Sequence, residues 1–144
     1  MIKKAETADA RALKELAVQM WTTHDPDELE AEFRELLGKE DAACFLMSVD
    51  GSPVAFAQCQ LRHDYVEGTD SSPVGYLEGV FVSEGFRRKG CAAALLAACE
   101  AWSRERGCTE FASDCELGNT GSLRFHLALG FAEANRIICF KKPL

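Results

Sequence analysis

The feature that most constrains this chain is an apolar run that ends in a basic turn and then becomes helical. Residues 74–82 are almost wholly apolar, which reads as a buried strand. From Lys89 to Arg106, Leu95, Leu96, Cys99 and Trp102 recur at helical spacing, and Gly107 ends the pattern. Between them lies Val80-Phe81-Val82-Ser83-Glu84-Gly85-Phe86-Arg87-Arg88-Lys89-Gly90-Cys91-Ala92. An apolar strand thus runs into a short turn, and a helix begins near Gly90. The first amides of such a helix lack intrahelical partners and stand at the positive end of its dipole. That arrangement suits a phosphate group. Gly90 lets the backbone come close to it, Cys91 and Ala92 are too small to block it, and Arg87, Arg88 and Lys89 add positive charge. Gly85 and Gly90 have the P-loop spacing, but Cys91-Ala92 stands where Lys-Ser/Thr is required. No G-x-G-x-x-G is present, so a dinucleotide fold is unsupported. A solvated basic turn that caps a helix accounts for the same residues.

The rest of the chain supplies a sheet and further helices. A short strand is expected at Ile2. Leu13, Leu16, Ala17, Met20 and Trp21 then give a helix over residues 9–21, with Asp9 as its cap and Trp21 at its end. Asp25, Pro26 and Glu28 open a second helix that Gly38 closes. Residues 43–49 and 54–61 flank Asp50-Gly51 and should pair as a hairpin. Residues 62–73 are polar and read as a long loop, and 74–82 as the central strand. Residues 109–113 are strand-like, 119–129 form a short helix, and 131–142 close the chain as a strand carrying Ile137, Ile138, Cys139 and Phe140. The order is β-α-α-β-β-β-α-β-α-β: a mixed α/β class in one domain spanning residues 1–144.

Charge narrows the partners. A net charge of −7 argues against nucleic acid and against an anionic membrane surface, both of which select basic faces. It permits a cationic ligand. The cysteines number seven, with no C-x-x-C and no zinc spacing, so no metal site and no disulfide framework is expected. Free thiols and the lack of an apolar leader imply a reducing, cytoplasmic setting.

Two motifs in order carry a family resemblance. Arg87-x-x-Gly90-x-Ala92 after Val80–Val82 resembles the acetyl-CoA signature of the GNAT superfamily. Asn119-x-x-Ser122-x-x-Phe125-His126-x-x-Leu129-Gly130-Phe131 is similar to that superfamily's last helix. The stretches Tyr65 to Val80 and Cys108 to Asp114 narrow the match to aminoglycoside 6'-N-acetyltransferases of the short, dimeric type. The resemblance implies a splayed, mixed central sheet with helices on both faces, acetyl-CoA as co-substrate, a cationic aminoglycoside as acceptor, and a homodimer with residues 131–142 as a natural interface.

The same resemblance assigns roles. Val80, Phe81 and Val82 supply backbone contacts to the thioester, with the Val82 amide as oxyanion donor. Arg87, Arg88, Lys89, Gly90, Cys91 and Ala92 hold the pyrophosphate, and Asn119 the CoA arm. Glu78 and Asp114 hold the acceptor amine, and Glu78 takes its proton through water. Strand alternation places Glu78 on the face of Val82, four residues on. His126 stands where most relatives have a tyrosine facing the thiol, so it either protonates the thiolate, hydrogen-bonds the sulfur or packs in the core. Trp21 and Tyr65 line the sugar pocket, and Glu133 or Asn135 completes it. A ping-pong role for Cys91 lacks a neighbouring base. Two rivals keep part of this reading: the same transfer to a polyamine, another amino sugar or a protein N-terminus, and a non-catalytic acetyl-CoA sensor.

Overall fold

A computed structural model describes residues 1–144. Five strands form one sheet in the order β1 (Ile2–Lys4), β2 (Ala42–Val49), β3 (Ser52–Arg62), β4 (Val74–Val82), β5 (Phe111–Ala112). The first four pair antiparallel, whereas β4 and β5 run parallel, so the sheet is mixed. The connection from β4 to β5 passes through α3 (Cys91–Glu105), as parallel neighbours require. Helices α1 (Ala10–Ala17) and α2 (Pro26–Leu37) cover one face, and α4 (Thr120–Ala128) follows β5.

Each face has its own core. On one, Leu13 and Leu16 of α1 and Leu29 and Phe33 of α2 meet Cys44, Leu46, Phe56 and Phe81. On the other, Leu95, Leu96, Cys99 and Trp102 of α3 meet Ala55, Ala57, Cys59 and Leu77. These are the α3 positions that helical spacing selects. Each large side chain buried there contributes roughly 2 kcal/mol, and trimming the fully buried Leu95 to alanine would cost about 3 kcal/mol. The α2 start also follows the sequence: the Asp25 carboxylate accepts from the Asp27 and Glu28 amides at 2.8 and 3.4 Å, with Pro26 in the first turn.

Several expectations are corrected. Residues 131–142 form no strand: residues 131–144 lack regular structure, and all beyond Phe131 are exposed, including Ile138 (80%) and Phe140 (91%). The segment makes no backbone pairing with β5 or any other strand and leaves its apolar side chains in solvent, so neither a ladder nor burial holds it as a strand. The fourth strand is not central, because β3 occupies the middle of the five. The strand at 109–113 shrinks to two residues. The first helix ends at Ala17, four residues before Trp21, and Asp9 caps not that helix but the 3-10 turn before it, accepting from the Glu6 amide at 2.8 Å.

Candidate active site

The site begins with an irregularity in β4. Gln58 faces Gly79 and Cys59 faces Leu77, so Glu78 is the extra residue of a β-bulge. A bulge re-aims a side chain and breaks the alternation on either side of it. Leu77, Val80 and Val82 pack on the α3 face, whereas Phe81 packs on the α1–α2 face. Counting four residues along an unbroken strand therefore misplaces Glu78: it shares the face of Tyr76, opposite Val82.

Glu78 is not alone there. Arg62, the last residue of β3, reaches its Oε1 from Nε (3.3 Å) and Nη2 (2.8 Å). The same guanidinium lies 3.5 Å from the centre of the Tyr76 ring. The Tyr76 hydroxyl in turn donates to Asp114 Oδ2. Four side chains from β3, β4 and the chain just beyond β5 thus form one connected wall. Glu78 Oε2 and Asp114 Oδ1 accept no hydrogen bond from the chain. Burial, and then the bond to Asp114, pushes the Tyr76 phenol well above its ordinary value. Burial opposes the charge on Arg62, but the bond to Glu78 and the negative charge of Glu78 and Asp114 together outweigh it and hold the guanidinium above its usual range.

Trp21 closes this wall from the α1–α2 side. Its indole stacks on Phe33 with centroids 6.4 Å apart and meets Phe56 edge-on at 6.3 Å. A Cβ on Gly79 would lie 3.1 Å from the indole, so the residue after Glu78 is a glycine because the tryptophan covers it. Trp21 also borders a cavity of about 180 Å³ with His24, Glu32 and Gln58. Both expected roles, packing and pocket wall, are compatible with this position.

A larger cavity, about 1010 Å³, runs along the free edge of β5 and is lined by Arg62, Tyr76, Asp114, His126 and Asn135. Its size suits a drug-sized ligand. His126 is fixed within it by two contacts: Nδ1 donates to the Ser122 carbonyl at 2.7 Å, and Nε2 lies 2.8 Å from Ser113 Oγ. In the neutral ring the carbonyl takes the only N–H, so Ser113 donates to Nε2; in the imidazolium that direction reverses and Ser113 donates to the Leu77 carbonyl, 3.3 Å away. His126 and Ser113 therefore make a bonded pair able to pass a proton. The Asn135 amide donates to Glu67 at 2.8 Å, while Glu133 is tied to Arg136 and drops below its ordinary value through that bond. Tyr65 is 75% exposed on the loop, with its hydroxyl accepting weakly from the Gly68 amide at 3.4 Å.

The donor loop lies at the far end of β4. Only Gly75 and Tyr76 pair with β5, at Phe111 and Ala112, so the two strands part before Val80. The Ser83 amide donates to Val54 of β3 at 2.8 Å. Alternation then turns the Val82 and Val80 amides away from β3, into the splay. The Arg87 guanidinium donates to the Val82 carbonyl at 2.9 Å and lies across Phe81, so it braces the turn. The Cys91 thiol donates to the Phe86 carbonyl at 3.4 Å, which leaves it a packing role. The amides of Arg88, Lys89, Gly90, Cys91, Ala92 and Ala93 have no acceptor in the chain. Gly90 sits at φ +79, a left-handed conformation natural to glycine, with open space around it. Six unpaired amides at the start of a 15-residue helix fit a pyrophosphate. Asn119 caps α4 through its Oδ1 to the Ser122 amide at 3.1 Å, leaving its side-chain NH₂ free.

Sequence reading missed Arg62, Tyr76 and Ser113. Tyr76 lies two residues before Glu78, a spacing that hints at a shared face. Nothing in the sequence marks Arg62, because its partner is 16 residues away across a loop and a bulge.

An aminoglycoside N(6')-acetyltransferase type 1 of Serratia marcescens is 43% identical over 130 residues, covering 90% of this chain and 89% of that protein. Its counterpart in Salmonella typhimurium is 44% identical over 127 residues, 88% of each chain. The structure of AAC(6')-Iy in complex with the bisubstrate analogue CoA-S-monomethyl-acetylneamine superposes with a TM-score of 0.95 at 40% identity, covering 100% of this chain and 98% of that one. A ribosomal-protein-alanine N-acetyltransferase of Brucella melitensis shares the fold at 18% identity and a TM-score of 0.78, over 99% of both chains. The sequence profile described as the acetyltransferase (GNAT) family matches residues 10–131, and with the splayed β4–β5 pair and the amide cradle this chain belongs to that family.

Proposed function

We propose that this chain moves the acetyl group of acetyl-CoA directly to the 6'-amine of an aminoglycoside. The chain is an acetyl-CoA-dependent N-acetyltransferase, and its relatives named as aminoglycoside 6'-acetyltransferases set the acceptor class. The observation that carries the reading is the pair of carboxylates Glu78 and Asp114, each with one uncommitted oxygen: Glu78 on the strand that leads to the amide cradle, Asp114 just beyond the neighbouring β5. A carboxylate pair beside an aromatic wall binds an amino sugar as an ammonium.

Transfer needs that ammonium to lose a proton. Glu78 takes it through water, and the neutral nitrogen attacks the thioester carbon. The Val82 amide stabilises the oxyanion as the C–N bond forms. The C–S bond then breaks, and the thiolate leaves with a proton passed from the His126 imidazolium Nε2 through the Ser113 hydroxyl. Arg88, Lys89 and the amides from Gly90 to Ala92 hold the pyrophosphate, and the Asn119 NH₂ reaches the CoA arm. Trp21, Tyr65 and Asn135 line the sugar pocket. We also assign a cytoplasmic homodimer, supported by seven free thiols and by the exposed apolar side chains of Ile137, Ile138 and Phe140.

The deciding experiment is thiol release with acetyl-CoA and paired acceptors that differ only at the 6' position, amine against hydroxyl. Turnover of the 6'-amine alone is expected. Equal turnover of both refutes the regiochemistry, and turnover of simple polyamines alone moves the acceptor class. Light scattering before and after removal of residues 137–144 tests the dimer; a monomer at full length refutes it.

A further inference from the structure

We infer that Arg62 is the positioning residue that sets the charge of the acceptor site, so that the site binds an ammonium without holding it protonated. This rests on the reading of Glu78 and Asp114 as the amine-binding pair. Two carboxylates facing one ammonium would bind it well and oppose its deprotonation, since each negative charge within about 5 Å favours the charged amine. Only the neutral amine attacks. A built-in cation removes half of that penalty while leaving one net negative charge for binding.

The geometry places Arg62 where it can do this. Its fork engages a single oxygen of Glu78, at 2.8 and 3.3 Å, and leaves Oε2 for the substrate. Its plane rests 3.5 Å from the Tyr76 ring centre, and Tyr76 holds Asp114 by one oxygen in the same manner. One stack therefore orients both carboxylates and keeps a positive charge beside both. Arg62 and Glu78 are only part-exposed, at 37% and 22%, so solvent screens this pair less than a surface pair. Of the other charges along the cavity, Glu116 has no side-chain partner and Glu100 pairs with Arg104 at 4.0 Å; the rest are bonded to groups outside the wall. Glu110 accepts from Ser71 and the Asp70 amide, Glu67 from Asn135, and Glu133 from Arg136, while His126 is bonded to serines. Arg62 alone is directed at Glu78.

The test is Arg62→Met and Arg62→Lys, assayed for acceptor kcat and KM across pH, with thermal melting as the fold check. Arg62→Met should lower kcat near neutral pH about tenfold and lower or preserve the acceptor KM. The rising limb of its kcat–pH profile should move up by about one unit. Arg62→Lys keeps the charge and loses the fork, so the limb should return while kcat recovers in part. An unshifted limb in Arg62→Met with a folded protein overturns the inference. So does a lower KM at unchanged kcat, which would make Arg62 only a competing cation. Glu78→Gln separates the two layers: if it leaves acceptor kinetics intact, the amine-site reading itself falls, whatever Arg62 does.

Discussion

On the proposed reading, two regions that meet along β4 perform the two halves of the reaction by opposite means. The donor loop, residues 80–93, is contiguous and works through its backbone: splayed amides, a left-handed glycine, a helix start. The acceptor wall is assembled from side chains of β3, β4 and the chain after β5, joined by a guanidinium, a phenol and two carboxylates. A backbone device tolerates most side-chain changes, whereas a side-chain network loses function with any member. The difference also separates their thermodynamics: damage to one region should appear in one substrate's constants only.

The largest effects should come from breaking the wall at its carboxylates. Glu78→Gln and Asp114→Asn are each expected to reduce acceptor kcat/KM by about a hundredfold or more, the scale of a lost acid–base group. The KM for acetyl-CoA should stay within about twofold, because a carboxylate-to-amide change leaves volume and packing intact. Steady-state kinetics with each substrate varied in turn checks this. A matching rise in the acetyl-CoA KM would mean the two regions are one.

The complementary break is Gly90→Val. A β-branched residue at φ +79 costs about 1–3 kcal/mol of backbone strain, so the turn must reshape and misalign its amides. The acetyl-CoA KM should rise roughly tenfold, with the acceptor KM preserved. Neutralising exposed Arg88 with glutamine should do less, because the amides carry the site. An Arg88→Gln effect larger than that of Gly90→Val would reverse the comparison.

The same contrast explains what the sequence revealed. The donor loop was legible because its residues are neighbours and its glycine, small residues and basic run each have a local reason. Helices α2 and α3 were legible through Asp25, Pro26 and the Leu95–Trp102 spacing. Glu78 stood out as a carboxylate in an apolar strand, but its face did not, because a bulge has no sequence mark and reverses the alternation used to place it. Arg62 and Tyr76 were invisible for a related reason: their significance is a stack across two strands. The closing segment failed differently. Ile137, Ile138 and Phe140 have strand chemistry, yet a strand needs a paired backbone and a buried face, and the segment has neither.

Tyr76→Phe sharpens the comparison at the joint of the wall. It keeps the ring beneath Arg62 and removes only the bond to Asp114. A neutral donor bonded to a charged acceptor in this half-exposed wall is worth about 1–1.4 kcal/mol, so acceptor kcat/KM should fall about fivefold to tenfold while Arg62 stays in place. Stability carries a second signature. The folded phenol titrates above its ordinary value, so its contribution is full below the unfolded value of about 10 and is lost as pH rises beyond it. Wild-type melting temperature should therefore drop more steeply above pH about 10 than that of Tyr76→Phe. Parallel melting curves would show that the phenol is free to ionise.

The smallest expected effect falls where wall and core meet. Gly79→Ala places a methyl 3.1 Å from the Trp21 indole, closer than ordinary contact but short of a clash. The strand cannot yield, because Gly79 is fixed opposite Gln58 by the β3–β4 ladder. Trp21 can, since it lies beyond the end of α1 and is only part-buried. The indole should shift by a few tenths of an ångström against Phe33 and narrow the pocket beside Glu78. Acceptor KM should rise about twofold to threefold with kcat and the acetyl-CoA KM unchanged, the pattern of lost uniform binding. Restoring space with Gly79→Ala and Trp21→Phe together should recover part of that loss, as coupled neighbours do. If instead kcat falls and KM holds, Trp21 aligns the amine for attack, and the aromatic side of the wall belongs to the chemistry rather than to binding.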